Sequence, residues 1–252
     1  MSLLKATGLG ITFGGLKAVS NVTFDIKEGE LVGLIGPNGA GKTTFFNLLT
    51  GVYQPTEGDI EFNGKSILGN KPYQINNLGI ARTFQNIRLF KDLTVLDNVK
   101  IAYNSHMKYG ALTGIFRLPK YFKEENEADE KAIELLKVFN LENLIYEKAS
   151  NLPYGKQRKL EIARALASSP KLLLLDEPAA GMNPSETEEL METIAIIRQN
   201  FNTAILLIEH DMGLVMGICE RLFVLEYGML IAHGEPQEVI NNPRVIAAYL
   251  GD

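Results

Sequence analysis

The rhythm of apolar and polar positions changes from segment to segment. From Leu9 to Lys27 the two alternate around Gly14-Gly15, the period of paired strands joined by a turn. Leu31-Val32-Gly33-Leu34-Ile35 is an unbroken apolar run, which predicts a buried strand. From Thr43 to Thr50 apolar residues fall at helical spacing and stop at Gly51, a residue suited to a helix end. Asp59 to Lys65 repeats the strand–turn signal. From Asn86 to about Leu166 strand patterns are scarce, and Glu127 to Lys137 predicts an amphipathic helix whose mixed charges face solvent. Tyr109 to Lys123, with Gly110, Gly114 and Pro119, reads as an irregular insertion between helices. After Pro170 apolar runs return at Leu172 to Leu175, Ala204 to Ile208 and Leu222 to Leu225. A helical segment from Glu186 to Gln199 separates the first two. That alternation implies right-handed crossovers and a parallel sheet. The expected fold is α/β, with a mostly parallel sheet, an antiparallel β subdomain and an inserted helical subdomain. The core with its β subdomain is assigned to residues 1–85 and 168–252, and the helical subdomain to 86–167.

Chemistry enters between the buried strand and the helix after it. Gly36-Pro37-Asn38-Gly39-Ala40-Gly41-Lys42-Thr43, followed by Thr44, has the phosphate-cradling spacing of Gly, four residues, Gly-Lys-Thr. Glycines let successive backbone N–H groups converge on an anion, and the helix N-terminus adds positive potential. In that reading Lys42 reaches the β- and γ-phosphates and the Thr43 hydroxyl binds Mg²⁺. A glycine-rich turn that merely fits the spacing is the plain alternative, and the flanking strand and helix weigh against it. A second signal closes the run Leu172 to Leu175 with Asp176-Glu177-Pro178. Carboxylates at the end of such a strand lie where ligands of open α/β sheets bind. Asp176 is then expected to hold Mg²⁺, directly or through water, and Glu177 to polarise an attacking water. Two solvated acids at a strand end are the alternative.

Composition narrows the setting. With 252 residues and 46% hydrophobic content the chain can build a substantial core. A net charge of −5 argues against a protein that coats nucleic acid. No apolar stretch approaches the ~20 residues of a membrane span, and Met1 to Lys5 reads as lacking a secretory signal. Cys219 is the single cysteine, which suggests a reducing, cytoplasmic interior and an inert buried thiol.

Taken together, the phosphate loop and Asp176-Glu177 resemble those of the ATP-hydrolysing subunit of ATP-binding cassette (ABC) transporters, a P-loop NTPase, over almost the whole chain. The resemblance implies further roles. Gln85, in Arg82-Thr83-Phe84-Gln85, matches the glutamine that senses Mg²⁺ and the attacking water. His210, in Glu209-His210-Asp211, matches the switch histidine at the γ-phosphate. Alone, each would be an ordinary loop amide or a structural histidine. Phe13 matches the aromatic that stacks on adenine, with a core phenylalanine as the competing reading.

Leu152-Pro153-Tyr154-Gly155-Lys156 occupies the place of the family signature Leu-Ser-Gly-Gly-Gln but keeps only the leucine and the second glycine. Pro153 removes a hydroxyl from the γ-phosphate contact. Gly155 and Lys156 can still offer backbone N–H groups and charge. Because a signature acts on ATP held by another copy, the resemblance implies a dimer with a second ATPase subunit, identical or not. Tyr154, the run from Glu177 to Pro184, Ile208 to Met212 and the tail from Asn242 to Gly251 resemble the ATPase subunit of branched-chain amino acid importers. That implies ATP and Mg²⁺ as cofactors, and transmembrane permease subunits and, indirectly, a periplasmic or extracellular solute-binding protein as partners, with no nucleic acid. The location implied is cytoplasmic, peripheral on the inner face of the cell membrane. An ABC ATPase for another solute or a lipid exporter remains open, as does a soluble non-transport ABC ATPase. A GTPase switch would need Asn-Lys-x-Asp, and Asn70-Lys71-Pro72-Tyr73 lacks the aspartate.

Overall fold

The computed structural model describes residues 2–103 and 111–250, the side chains of 111, 112 and 250 excepted. Its strands are β1 (Ser2–Phe13), β2 (Leu16–Lys27), β3 (Leu31–Ile35), β4 (Glu57–Phe62), β5 (Lys65–Ser66), β6 (Ile80–Arg82), β7 (Leu172–Asp176), β8 (Ala204–Ile208), β9 (Arg221–Glu226) and β10 (Met229–Gly234). Its helices are α1 (Lys42–Leu49), α2 (Pro72–Leu78), α3 (Val95–Tyr103), α4 (Ala111–Ile115), α5 (Pro119–Val138), α6 (Tyr154–Leu166), α7 (Pro184–Phe201), α8 (Met212–Ile218), α9 (Pro236–Ile240) and α10 (Pro243–Leu250). They fall into two compact units, Met1–Gln85 with Lys171–Asp252, and Asn86–Pro170.

In the first unit the described strands form two sheets. One is antiparallel, in the order β2-β1-β4-β5. The other runs β10-β9-β3-β8-β7-β6, parallel throughout except for β10 against β9. Strands β3, β7 and β8 are buried at every position, as continuous apolar runs in a two-sided parallel sheet must be. Phe24 of β2 packs its ring on Phe45 of α1 at 5.2 Å and on Phe223 of β9 at 4.3 Å, so helix and both sheets share one core. Helix α7 starts where its sequence says it should. Asn183 caps it by accepting the Glu186 N–H, the Glu186 carboxylate returns to the Asn183 N–H, and Pro184 takes the first helical position.

Among its described residues the second unit has helices and no strand, apart from an isolated bridge between Thr94 and Lys148. Arg158 is fully buried in α6 and pairs with Glu161 at 2.8 Å. The other Glu161 oxygen accepts the Arg88 N–H at 2.9 Å, which anchors the segment that follows Gln85. The expected irregular insertion at 109–123 needs correction. Residues 111–115 form α4, and Pro119 opens α5 at a position where its missing N–H costs nothing. Residues 109 and 110, and His106, lie outside the described residues.

Burial pushes the Cys219 thiol up to about 12, with Glu209 and Glu220 adding to it, so it stays protonated in the fold. A thiol reagent at pH 8 is expected to modify Cys219 only at the rate of unfolding; labelling as fast as in denaturant would contradict its burial. Leu206, fully buried in β8, is expected to cost about 2–5 kcal/mol of stability when changed to Ala. Chemical denaturation measures that loss.

Candidate functional site

The loop from Gly36 to Gly41 is shaped by what it must pass. Gly36 has φ 149°, and a Cβ there would lie 2.1 Å from the Leu225 carbonyl oxygen. A Cβ on Gly41, at φ 99°, would lie 2.7 Å from the Ala18 oxygen. Only glycine fits either place. The loop is also tied down by backbone: Gly228 N–H donates to the Ala40 oxygen at 2.9 Å, and Ser20 N–H donates to the Gly228 oxygen at 2.8 Å. Lys42 is buried, and its ammonium donates to the Gly36 and Pro37 carbonyls at 2.6 and 3.0 Å. Burial draws its pKa below the usual lysine value, while the Glu177 and Asp176 carboxylates act in the opposite direction.

Beside this loop opens a cleft of about 440 Å³, within the usual range for a small-molecule site. Residues 38–44 line it together with Leu16, Lys17, Ala18, Gln85, Glu177 and Tyr227. Amide N–H groups at a helix start and a lysine ammonium fit a polyphosphate. The Thr43 hydroxyl and the Glu177 and Gln85 side chains supply the oxygen donors that Mg²⁺ prefers.

Strand β7 delivers the acids to the edge of the sheet and then bends sharply. Glu177 has φ 46°, a left-handed conformation that a glutamate rarely adopts and that costs on the order of 1–3 kcal/mol. The Glu177 N–H donates to the Ile208 oxygen at 2.9 Å, and its carboxylate accepts from Gln85 Nε2 at 2.8 Å. Asp176 faces elsewhere. It is buried, and its Oδ2 is held by Arg82 Nη2 at 2.7 Å. The same guanidinium donates to Asn47 Oδ1 at 2.7 Å and lies over the Phe46 and Phe84 rings.

The structure thus brings the phosphate loop, Gln85 and Glu177 to one cleft, and leaves Asp176, His210 and Phe13 outside its lining. His210 is exposed, with Nδ1 3.7 Å from the buried Glu209 carboxylate. Phe13 lies edge-on to Tyr53 at 5.2 Å. Gly155 and Lys156 occupy the first turn of α6 in the helical unit, Gly155 buried and Lys156 exposed.

Sequence reasoning missed three residues. Arg82 carried no charge-pair signal along the chain, because its partner lies 94 positions away. Glu209 was read only as a neighbour of His210. Its buried carboxylate accepts the N–H groups of Ala179 at 2.8 Å and His210 at 3.1 Å, joining the turn after Glu177 to the one carrying His210. Burial pushes the Glu209 carboxyl up, and these amides hold it down. Tyr227, in the β9–β10 turn, lines the cleft without any motif along the chain to mark it.

With that geometry in hand, likeness to known proteins is informative. A family model described as ABC transporter matches residues 19–180, and one described as Branched-chain amino acid ATP-binding cassette transporter matches 229–252. The high-affinity branched-chain amino acid transport ATP-binding protein LivG of Salmonella typhimurium is 49% identical over 250 residues, covering 99% of this chain and 98% of that one. The crystal structure of the ADP conformation of MJ1267, an ATP-binding cassette of an ABC transporter, aligns over 100% of both chains with a TM-score of 0.86 and 32% identity. A dimeric post-hydrolysis state of the cassette MJ0796, bound to ADP and Pi, aligns over 92% of this chain and 98% of that one, with a TM-score of 0.76 and 26% identity. The chain belongs to the ABC transporter family, as an ATP-binding cassette.

Proposed function

We propose that this protein is the ATP-hydrolysing subunit of a branched-chain amino acid importer, and that two ATPase subunits enclose two ATP–Mg²⁺ between them. The observation that carries the hydrolytic reading is the single cleft in which Lys42 and the phosphate loop meet Glu177, its carboxylate already oriented by Gln85. The branched-chain reading is supported by LivG, similar over nearly its full length, and by the match at 229–252. That C-terminal match favours a branched-chain amino acid transporter over one for another solute or a soluble ABC ATPase.

The chain's own groups divide the work. Lys42 exchanges its two carbonyl partners for phosphate oxygens, which lets the ammonium swing into the cleft without first being desolvated. Backbone N–H groups of residues 39–44 take the remaining phosphate charge. Mg²⁺, when bound, supplies further positive charge to those oxygens; Thr43 and Gln85 would hold it, and Asp176 through water, since Arg82 engages its carboxylate. Glu177 orients a water and takes its proton, a role typically worth ~10²–10⁴ in rate. His210 is assigned to the γ-phosphate. Gly155 and Lys156 of the second subunit close over the nucleotide.

Among the described residues no helix is long and apolar enough to cross a membrane. The likeness to transport ATP-binding proteins supports permease subunits in the membrane, on whose inner face this protein docks, and a solute-binding protein on the far side as its partners. Glu177→Gln is expected to bind ATP and accumulate ATP-dependent dimers while hydrolysis falls by ~10²–10⁴. Normal turnover in that variant would remove Glu177 from its role.

A further inference from the structure

We propose that Glu209 is a positioning residue for hydrolysis, one carboxylate that locks the turn carrying Glu177 to the turn carrying His210; the inference rests on the hydrolytic reading above. The turn after β7 has few amides with which to hold itself. Pro178 has no N–H, so the donors nearest the strained Glu177 are its own amide and that of Ala179. The first donates to the Ile208 oxygen at 2.9 Å and the second to Glu209 Oε1 at 2.8 Å. Both bonds therefore end on consecutive residues, the last of β8 and the one after it.

The other carboxylate oxygen serves the second turn. Oε2 accepts the His210 N–H at 3.1 Å, and the Asp211 amide also bonds to the carboxylate. Asp211 in turn caps α8 by accepting the Leu214 N–H at 3.1 Å. Glu209 is wholly buried, and every hydrogen bond it accepts among the described residues comes from these two turns. Burying a carboxylate is costly, and holding a strand end does not require one. A glutamine of the same size would not replace it, because it has a single acceptor oxygen and its NH₂ would face an N–H. An acceptor-only group thus keeps Glu177 in its left-handed backbone and the His210 turn in register with it. Because both turns share one carboxylate, a displacement of either is carried to the other.

The test separates positioning from support of the fold. Glu209→Gln is expected to lower kcat for ATP hydrolysis roughly 10- to 100-fold, the effect of losing a hydrogen bond to a charged group, with KM and the Kd for ATP within about twofold of wild type. In a Glu177→Gln background the same change should cost less than about twofold further, because groups that act as a unit are not additive. Should Glu209→Gln fail to fold, replacing the Ala179 amide by an ester removes that donor and leaves Glu209 in place; kcat should fall with KM unchanged there too. An unchanged kcat in either folded variant, or a loss confined to KM, would overturn the proposal. So would a full multiplicative loss in the Glu177→Gln background, the mark of a group that only supports the fold. A wild-type protein that hydrolyses no ATP overturns both this inference and the function proposed above. One that hydrolyses ATP with Glu209 indifferent overturns this inference alone.

Discussion

The phosphate loop keeps its shape because backbone presses on it from three directions, while the Lys42 ammonium ties its Gly36 and Pro37 carbonyls together. The Leu225 carbonyl excludes any Cβ at Gly36, the Ala18 carbonyl does so at Gly41, and the Gly228 amide clips Ala40. Side chains would leave rotamer freedom in such contacts, whereas peptide groups leave almost none. A rigid loop has already lost the entropy that ordering around a ligand would cost, which is why amides can act as a preset anion site. The same three contacts fix the position of the β1–β2 sheet edge and of the β9–β10 turn beside the cleft. Much of the first unit is in this sense organised around a run of peptide bonds.

Buried charge forms the second framework. Asp176 and Arg82 meet with little water access, and Arg82 reaches on to Asn47 of α1. Removing one member of such a pair costs on the order of 3–5 kcal/mol, because the other is left charged and unpaired. The acid at the end of β7 is thus bonded to the helix that follows the phosphate loop. Glu209 does a similar job with amides, holding the turn after Glu177 and the turn of His210 to one carboxylate. The strained Glu177 backbone persists because these bonds surround it.

The strands and helices were legible where one physical signal dominated. Continuous apolar runs marked β3, β7 and β8, since a strand covered on both faces has no polar positions. Asn183, Pro184 and Glu186 announced the start of α7 through local hydrogen bonding alone. The insertion expected from Tyr109 to Lys123 misled over its described part, residues 111–123, because Gly114 and Pro119 are breakers inside a helix but acceptable at helix ends, and only packing decides which they are. In the candidate site, Lys42, Thr43, Gln85 and Glu177 were named from motifs and do share one cleft.

By itself the sequence determined the family, the phosphate loop and the order of its elements, all of which depend on contacts within a few residues or on spacing along the chain. Tertiary structure alone decided the rest. It gave Asp176 to Arg82, set Glu209 beneath two turns, engaged Phe13 with Tyr53 and left Tyr227 bare at the cleft. Each of those depends on partners far apart in sequence. Which side chain meets which, at ångström range, is settled only when the sheets close on their shared core.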